Sequence, residues 1–168
     1  LRLVGRPHPE GFTVVEDHRP VVYCLPGGPG TVVFTSGALD MLTARERLLV
    51  LGHENRHLRA RHDVALAHSG ALARTFRRIQ FFEQAHQHIA ILVEMSADDA
   101  ASSGADRRSL ARALVTLGSG TRPEAALGAT GTAAVQRVRR LTTPPPRVRR
   151  GRGTLVGVVA VSLLSLPV

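Results

Sequence analysis

The spacing of apolar residues changes character along the chain. Val21, Val22, Tyr23 and Cys24 form a short apolar run within Arg19 to Leu25, and Thr31 to Thr35 (TVVFT) forms a second. Short runs rich in β-branched and aromatic residues read as strands. Between them Pro26-Gly27-Gly28-Pro29-Gly30 is turn chemistry, so the pair predicts a β-hairpin. Val14 and Val15 suggest a third strand, and residues 1–12 carry no clear period. From Thr43 onward the pattern becomes helical. Thr43 with Glu46 three residues later matches a capping box, and Leu48, Leu49, Leu51 and Leu58 supply the apolar positions of a helix over about Ala44 to Asp63. Further helical stretches run from Val64 to Ile79, from about Phe82 to Ser102 and from Arg107 to Leu117, whereas residues 121–140 are rich in Ala, Gly and Thr and weakly helical at best. Strands followed by helices predict an α+β fold.

Two later stretches change the picture. Pro144, Pro145 and Pro146 cannot continue a helix, so residues 141–152 read as a linker after a folded domain spanning 1–140. Residues 153–168 (GTLVGVVAVSLLSLPV) carry no charge and read as the start of a transmembrane helix, with a buried helix or strand as the alternative. Arg147, Arg149, Arg150 and Arg152 precede that segment, and basic flanks favour the cytoplasmic side. The expectation is an integral membrane protein whose folded domain faces the cytoplasm, anchored through its C-terminal segment, with the basic run near anionic lipid.

Composition narrows the function. The chain of 168 residues is 43% hydrophobic, enough for a single core. All 22 basic residues are Arg, and the net charge is +9. Seven of those Arg lie between Arg137 and Arg152, and no acid follows Glu124. The remaining 15 Arg are set against 13 acids in residues 1–136, a balance of +2. A nearly neutral domain with no Trp and 4% aromatics argues against nucleic acid as a partner. The lone Cys24 excludes an intramolecular disulfide framework and reads as a small core residue. Gly27, Gly28 and Gly30 lack the Lys-Ser/Thr of a phosphate loop and read as turn glycines.

The chemistry-bearing segment is Gly52-His53-Glu54-Asn55-Arg56-His57, an H-E-x-x-H motif inside an expected helix. Residues four apart share a helix face, so His53 and His57 can hold one ion, and zinc accepts such nitrogens while keeping a position for water. Glu54 lies about 100° around the axis and can reach that water without being a ligand. Bound zinc brings the water's pKa to about 7, and a carboxylate can take its proton. Glu94, 37 residues after His57 on another expected helix, supplies a third donor, and two His plus one Glu is a catalytic zinc set. Asp98 shares the face of Glu94 and can accept the free ring N–H of a ligand histidine. His62 and Asp63 either orient the site or end a solvated helix. His86 and His88, two apart, do not share a helical face.

These segments resemble the gluzincin metallopeptidases, whose pattern is H-E-x-x-H with a downstream E-x-x-x-D. The resemblance is nearer to membrane-embedded antirepressor proteases of the BlaR/MecR type in their short actinobacterial form. It rests on Thr35-Ser36-Gly37-Ala38-Leu39, on Gly52 through Asp63 (GHENRHLRARHD) and on Glu94-Met95-Ser96-Ala97-Asp98-Asp99-Ala100. The Glu-x-x-Ala-Asp element is also similar to the HtpX and CAAX-protease group. The resemblance spans about residues 14–117 together with the Arg-rich linker and membrane segment. It implies a zincin-like metallopeptidase domain with one Zn2+ per chain, held by His53, His57 and Glu94. Glu54 would be the general base, Asp98 a carboxylate behind the ligands, and Thr31 to Thr35 an edge strand that pairs with a protein or peptide substrate. Many relatives carry small or apolar residues where this chain has Asn55 and Arg56; the helical position of Arg56 aims it sideways. The activity implied is zinc-dependent endoproteolysis, in repressor/anti-repressor regulation. The alternatives are a quality-control protease of the HtpX kind or a weakly active signalling module.

Overall fold

In a computed structural model of the chain, residues 5–120 and 129–143 are described. Four strands, β1 (Gly5–Pro7), β2 (Thr13–Val15), β3 (Val22–Leu25) and β4 (Thr31–Thr35), precede six helices. These are α1 (Ser36–Met41), α2 (Ala44–Arg59), α3 (His62–Thr75), α4 (Gln80–Ala101), α5 (Asp106–Gly120) and α6 (Ala129–Thr142). The α+β order expected from the sequence is present. The linker expected at 141–152 begins later than its bounds, because α6 runs to Thr142 and Leu141 is buried in the core; the rest of it from residue 144 and the transmembrane segment expected at 153–168 lie outside the described residues. Among the described residues no helix is long and apolar enough to cross a membrane.

The sheet order is β1-β2-β4-β3. β3 and β4 form the expected antiparallel hairpin, pairing Val22 with Phe34 and Cys24 with Val32, and β4 runs parallel to β2 on its other side. This corrects the expectation that Thr31 to Thr35 is an edge strand. Val32, Val33, Phe34 and Thr35 are all buried. A continuous apolar run suits a strand flanked by neighbours and covered on both faces, whereas β3 is only half-buried and lies at the edge. The other edge, β1, was invisible as a pattern because its three residues are Gly5, Arg6 and Pro7. Proline without an N–H is confined to such edges.

The turn from β4 into α1 is tied down by Thr35. Its hydroxyl donates to Arg19 O at 2.6 Å and accepts from Val21 N at 3.0 Å and Ala38 N at 3.2 Å. Gly37 follows, with its N–H on Asp17 O at 2.9 Å. A Cβ at residue 37 would lie 2.1 Å from His18 O, so only glycine fits against this backbone. α2 starts at the expected capping box, with Glu46 N on Thr43 Oγ1 at 3.3 Å and Thr43 N on Glu46 Oε2 at 3.0 Å.

The core gathers Phe12, Val32 and Phe34 from the sheet side, Leu49, Val50 and Leu51 from α2, Leu110 and Ala113 from α5 and Leu141 from α6. The Phe12 and Phe34 rings meet at 4.4 Å between centroids. Each such large side chain contributes about 1.5–3 kcal/mol by leaving water. Several helices differ from expectation: α1 has no counterpart among the expected elements, and α3 covers His62–Thr75 where Val64 to Ile79 was expected. α2 stops at Arg59, because Arg61 takes a left-handed conformation (φ 52°, ψ 45°) and α3 begins at once. And α6 is a full helix where residues 121–140 read as weakly helical. Its Val138 and Leu141 pack on the core while its arginines reach acids on α4, so tertiary contacts override poor propensity.

Candidate metal centre

Helix α2 presents His53, Glu54 and His57, and α4 presents Glu94 and Asp98. The fixed 3.6-residue period places His57 one turn below His53 and Asp98 one turn beyond Glu94. The packing of α2 against α4 then brings the two pairs together. His53 Nε2 lies 3.0 Å from His57 Nε2 and 3.5 Å from Glu94 Oε2, and His57 Nε2 lies 3.4 Å from Glu94 Oε1. His53, His57 and Glu94 form a three-donor group suited to a metal ion. A tetrahedral ion with bonds of about 2.0–2.1 Å keeps its donors roughly 3.3–3.4 Å apart, so the observed separations fit zinc.

Behind the donors, His53 Nδ1 is buried and lies 3.1 Å from Asp98 Oδ1, a close contact that falls short of an aligned hydrogen bond. His57 Nδ1 lies 3.1 Å from His62 Nδ1. Glu54 stands beside the group in a cavity of about 360 Å³. That cavity is lined by Val22, Tyr23 and Cys24 of the edge strand β3, by Leu114 and Leu117 of α5, by Val50, by the three donors and by Arg137. Arg56 is exposed, in agreement with its expected sideways position.

Burial and charge set the protonation of these groups. Burial lowers the His57 pKa to about 4, with His53, His62 and Arg137 acting in the same sense against Glu94. His57 is therefore neutral at pH 7, the form a metal requires. For His53 burial also acts downward, but the carboxylates of Asp98 and Glu94 outweigh it and raise the value to about 9. A metal would have to displace that proton. Burial raises the Glu54 pKa, opposed by His53 and by the nearby Cys24 thiol. A carboxylate lifted toward neutrality is suited to taking and returning a proton. The Cys24 thiol is itself pushed up to about 11, by burial and by the charge of Glu54.

One residue of the site escaped the sequence. Arg137 of α6 donates from Nε to Asp98 Oδ2 at 2.8 Å and from Nη2 to Asp98 Oδ1 at 2.7 Å, and its Nη1 pairs with Glu94 Oε2 at 2.7 Å. Burial works against both carboxylates. Even so, His53 and Arg137 hold Glu94 and Asp98 below their usual range and so ionised. In the sequence Arg137 is one of the seven arginines of the basic region from 137 to 152. The available signal was its spacing of three from Arg140, which pairs at 2.5 Å with Asp99, the exposed neighbour of Asp98 on α4. His86, by contrast, is engaged with Ser69 Oγ at 2.8 Å in the α3–α4 interface, and His88 Nδ1 donates to Gln84 O at 2.7 Å; neither joins the donor group.

Comparison with known proteins yields one relationship. The model of peptidase family M48 matches residues 1–91, which include His53, Glu54 and His57 and stop short of Glu94. No curated protein and no solved structure matches the chain. The match covers more than half of the 168 residues and contains two of the three donors: the chain belongs to peptidase family M48, whose members are metal-dependent and act on protein or peptide substrates.

Proposed function

We propose that this chain is a zinc metalloendopeptidase domain in which His53, His57 and Glu94 hold the ion. The observation that carries the reading is the meeting of three donor atoms 3.0–3.5 Å apart with Glu54 beside them in an open cavity. Zinc in this set supplies a Lewis acid for the scissile carbonyl and an acidified water. Glu54 takes the proton of the attacking water and returns it to the leaving amine. Asp98, fixed by Arg137, orients His53. The free edge of β3 offers its backbone to an extended peptide, and Leu114 and Leu117 offer an apolar surface for one of its side chains.

The resemblance to antirepressor proteases supports a regulatory substrate. The uncharged segment 153–168, with Arg147, Arg149, Arg150 and Arg152 before it, supports a membrane anchor with the domain on the cytoplasmic side.

The deciding experiment measures zinc content and peptide hydrolysis for the native chain, Glu54→Gln and His57→Ala. About one zinc per chain is expected in the native protein and in Glu54→Gln, with hydrolysis lost in the latter; His57→Ala loses the metal. Proteolysis that survives Glu54→Gln with zinc in place overturns the mechanism. A folded native chain that takes up no zinc overturns the site. A reporter fused after Val168 tests the membrane orientation.

A further inference from the structure

A histidine that binds a metal through one ring nitrogen carries its hydrogen on the other, and the partner of that other nitrogen decides which tautomer exists. His53 meets Asp98 at its second nitrogen. His57 has no carboxylate there. Its Nδ1 faces His62 Nδ1 at 3.1 Å, with the rings at 85° and their centroids 4.8 Å apart. Two neutral ring nitrogens at this distance form a hydrogen bond only if one carries the hydrogen and the other is bare. We propose that His62 is a positioning residue for His57. It accepts the hydrogen on His57 Nδ1, keeps its own on Nε2, and so leaves the Nε2 lone pair of His57 free for the ion. The inference rests on the proposed metal centre and adds to it a residue outside the donor group.

The backbone supports this assignment independently. On a continuous helix, residue 62 would sit five positions after His57, about 500° around the axis and so roughly 140° away from it. The chain avoids that outcome by breaking α2 after Arg59. Arg61 is the one non-glycine residue with positive φ among the described residues, at 52°. A left-handed non-glycine residue stores about 1–3 kcal/mol of strain, and such strain gathers at functional sites. Here the break turns the first residue of α3 back over the motif helix. His62 is buried, at 7% exposure, although it opens a helix beside the exposed Arg59, Ala60 and Arg61. His62 is not a member of the three-donor group, so its ring serves His57 rather than the ion.

The test compares the native chain with His62→Asn and His62→Leu. Asn places an acceptor oxygen near the position of His62 Nδ1; Leu fills the space with no acceptor. Zinc affinity is read by competition with a chromophoric chelator, and the His57 tautomer by nitrogen-15 NMR of the zinc-free protein, with thermal unfolding as a control for folding. The expected result is Nδ1–H on His57 in the native chain and in His62→Asn. His62→Leu should show mixed tautomers and zinc binding weakened about 10–100-fold, with Asn recovering most of the loss. Equal zinc affinity in native protein and a folded His62→Leu overturns the proposal, as does an Nε2–H tautomer of His57 in the native chain. If His62→Leu does not fold, His62→Asn and the native tautomer decide. A native chain that binds no zinc overturns the metal reading and the role of His62 in it; the change in His57 tautomer between that zinc-free chain and zinc-free His62→Leu reports separately whether the hydrogen bond exists, because His53 Nε2, 3.0 Å from His57 Nε2, acts alike in both.

Discussion

Arg137→Met is the sharpest test of how the centre is held. The substitution keeps an unbranched apolar stem and removes the guanidinium. Asp98 is 1% exposed and Arg137 14%, so this is a buried pair. Two aligned hydrogen bonds to Asp98 and the contact with Glu94 disappear together. Removing one partner of such a pair costs about 3–5 kcal/mol, because the remaining charge stays buried and unpaired. At about 2–4 °C per kcal/mol for a domain of this size, the melting temperature of the zinc-free protein should fall by roughly 6–20 °C. Adding Asp98→Asn removes the stranded charge, so the double variant should lose less than the sum of the two single losses. Acid should narrow the gap. Asp98 is held below its ordinary 3.8 when folded, so its contribution is present above that value and is lost as pH falls through the lowered one. Arg137→Met keeps only the part of that contribution that His53 supplies, so it has less to lose. Urea unfolding at pH 7 with chelator present is the assay. A loss under about 1 kcal/mol, or strict additivity with Asp98→Asn, would refute the buried-pair account.

Two further outcomes follow from the same structure. Gly37→Ala forces a Cβ to within 2.1 Å of His18 O, so the β4–α1 turn must shift; an overpacking loss of about 1–3 kcal/mol is expected in thermal unfolding, and a neutral effect would show that the turn yields freely. For the zinc-free protein, the folded His53 value of about 9 lies above its ordinary 6.5, so His53 stabilises fully below pH 6.5 and that contribution is lost as pH rises through about 9. Stability measured across this window should decline without zinc and hold steady with it, since the ion replaces the proton.

Much of the centre was legible in the sequence because its spacings are local. His53, Glu54 and His57 follow from one helical period, as do Glu94 and Asp98, and Thr43 with Glu46 announces the helix that carries the motif. The hairpin was legible from two apolar runs and a Pro/Gly turn. What escaped depends on distant parts of the chain. That β4 lies inside the sheet is decided by β2, a strand of three residues with a weak signal. The end of α2 was placed four residues late because Arg61 has no glycine to mark its left-handed turn. α6 escaped because its stability comes from Leu141 in the core and from Arg137 and Arg140 on the acids of α4, and none of these partners is near in sequence.

The dependence on α6 also has a consequence in time. His57 and Arg137 are 80 residues apart in the chain. At about 5–20 residues per second, a ribosome that has completed the motif helix needs roughly another 4–16 s to make Arg137. During that interval the motif helix exists without the cation that keeps Glu94 and Asp98 ionised and in place. In a nascent chain of this design the donors of the metal centre are therefore made well before the cation that braces the two carboxylates behind and beside them.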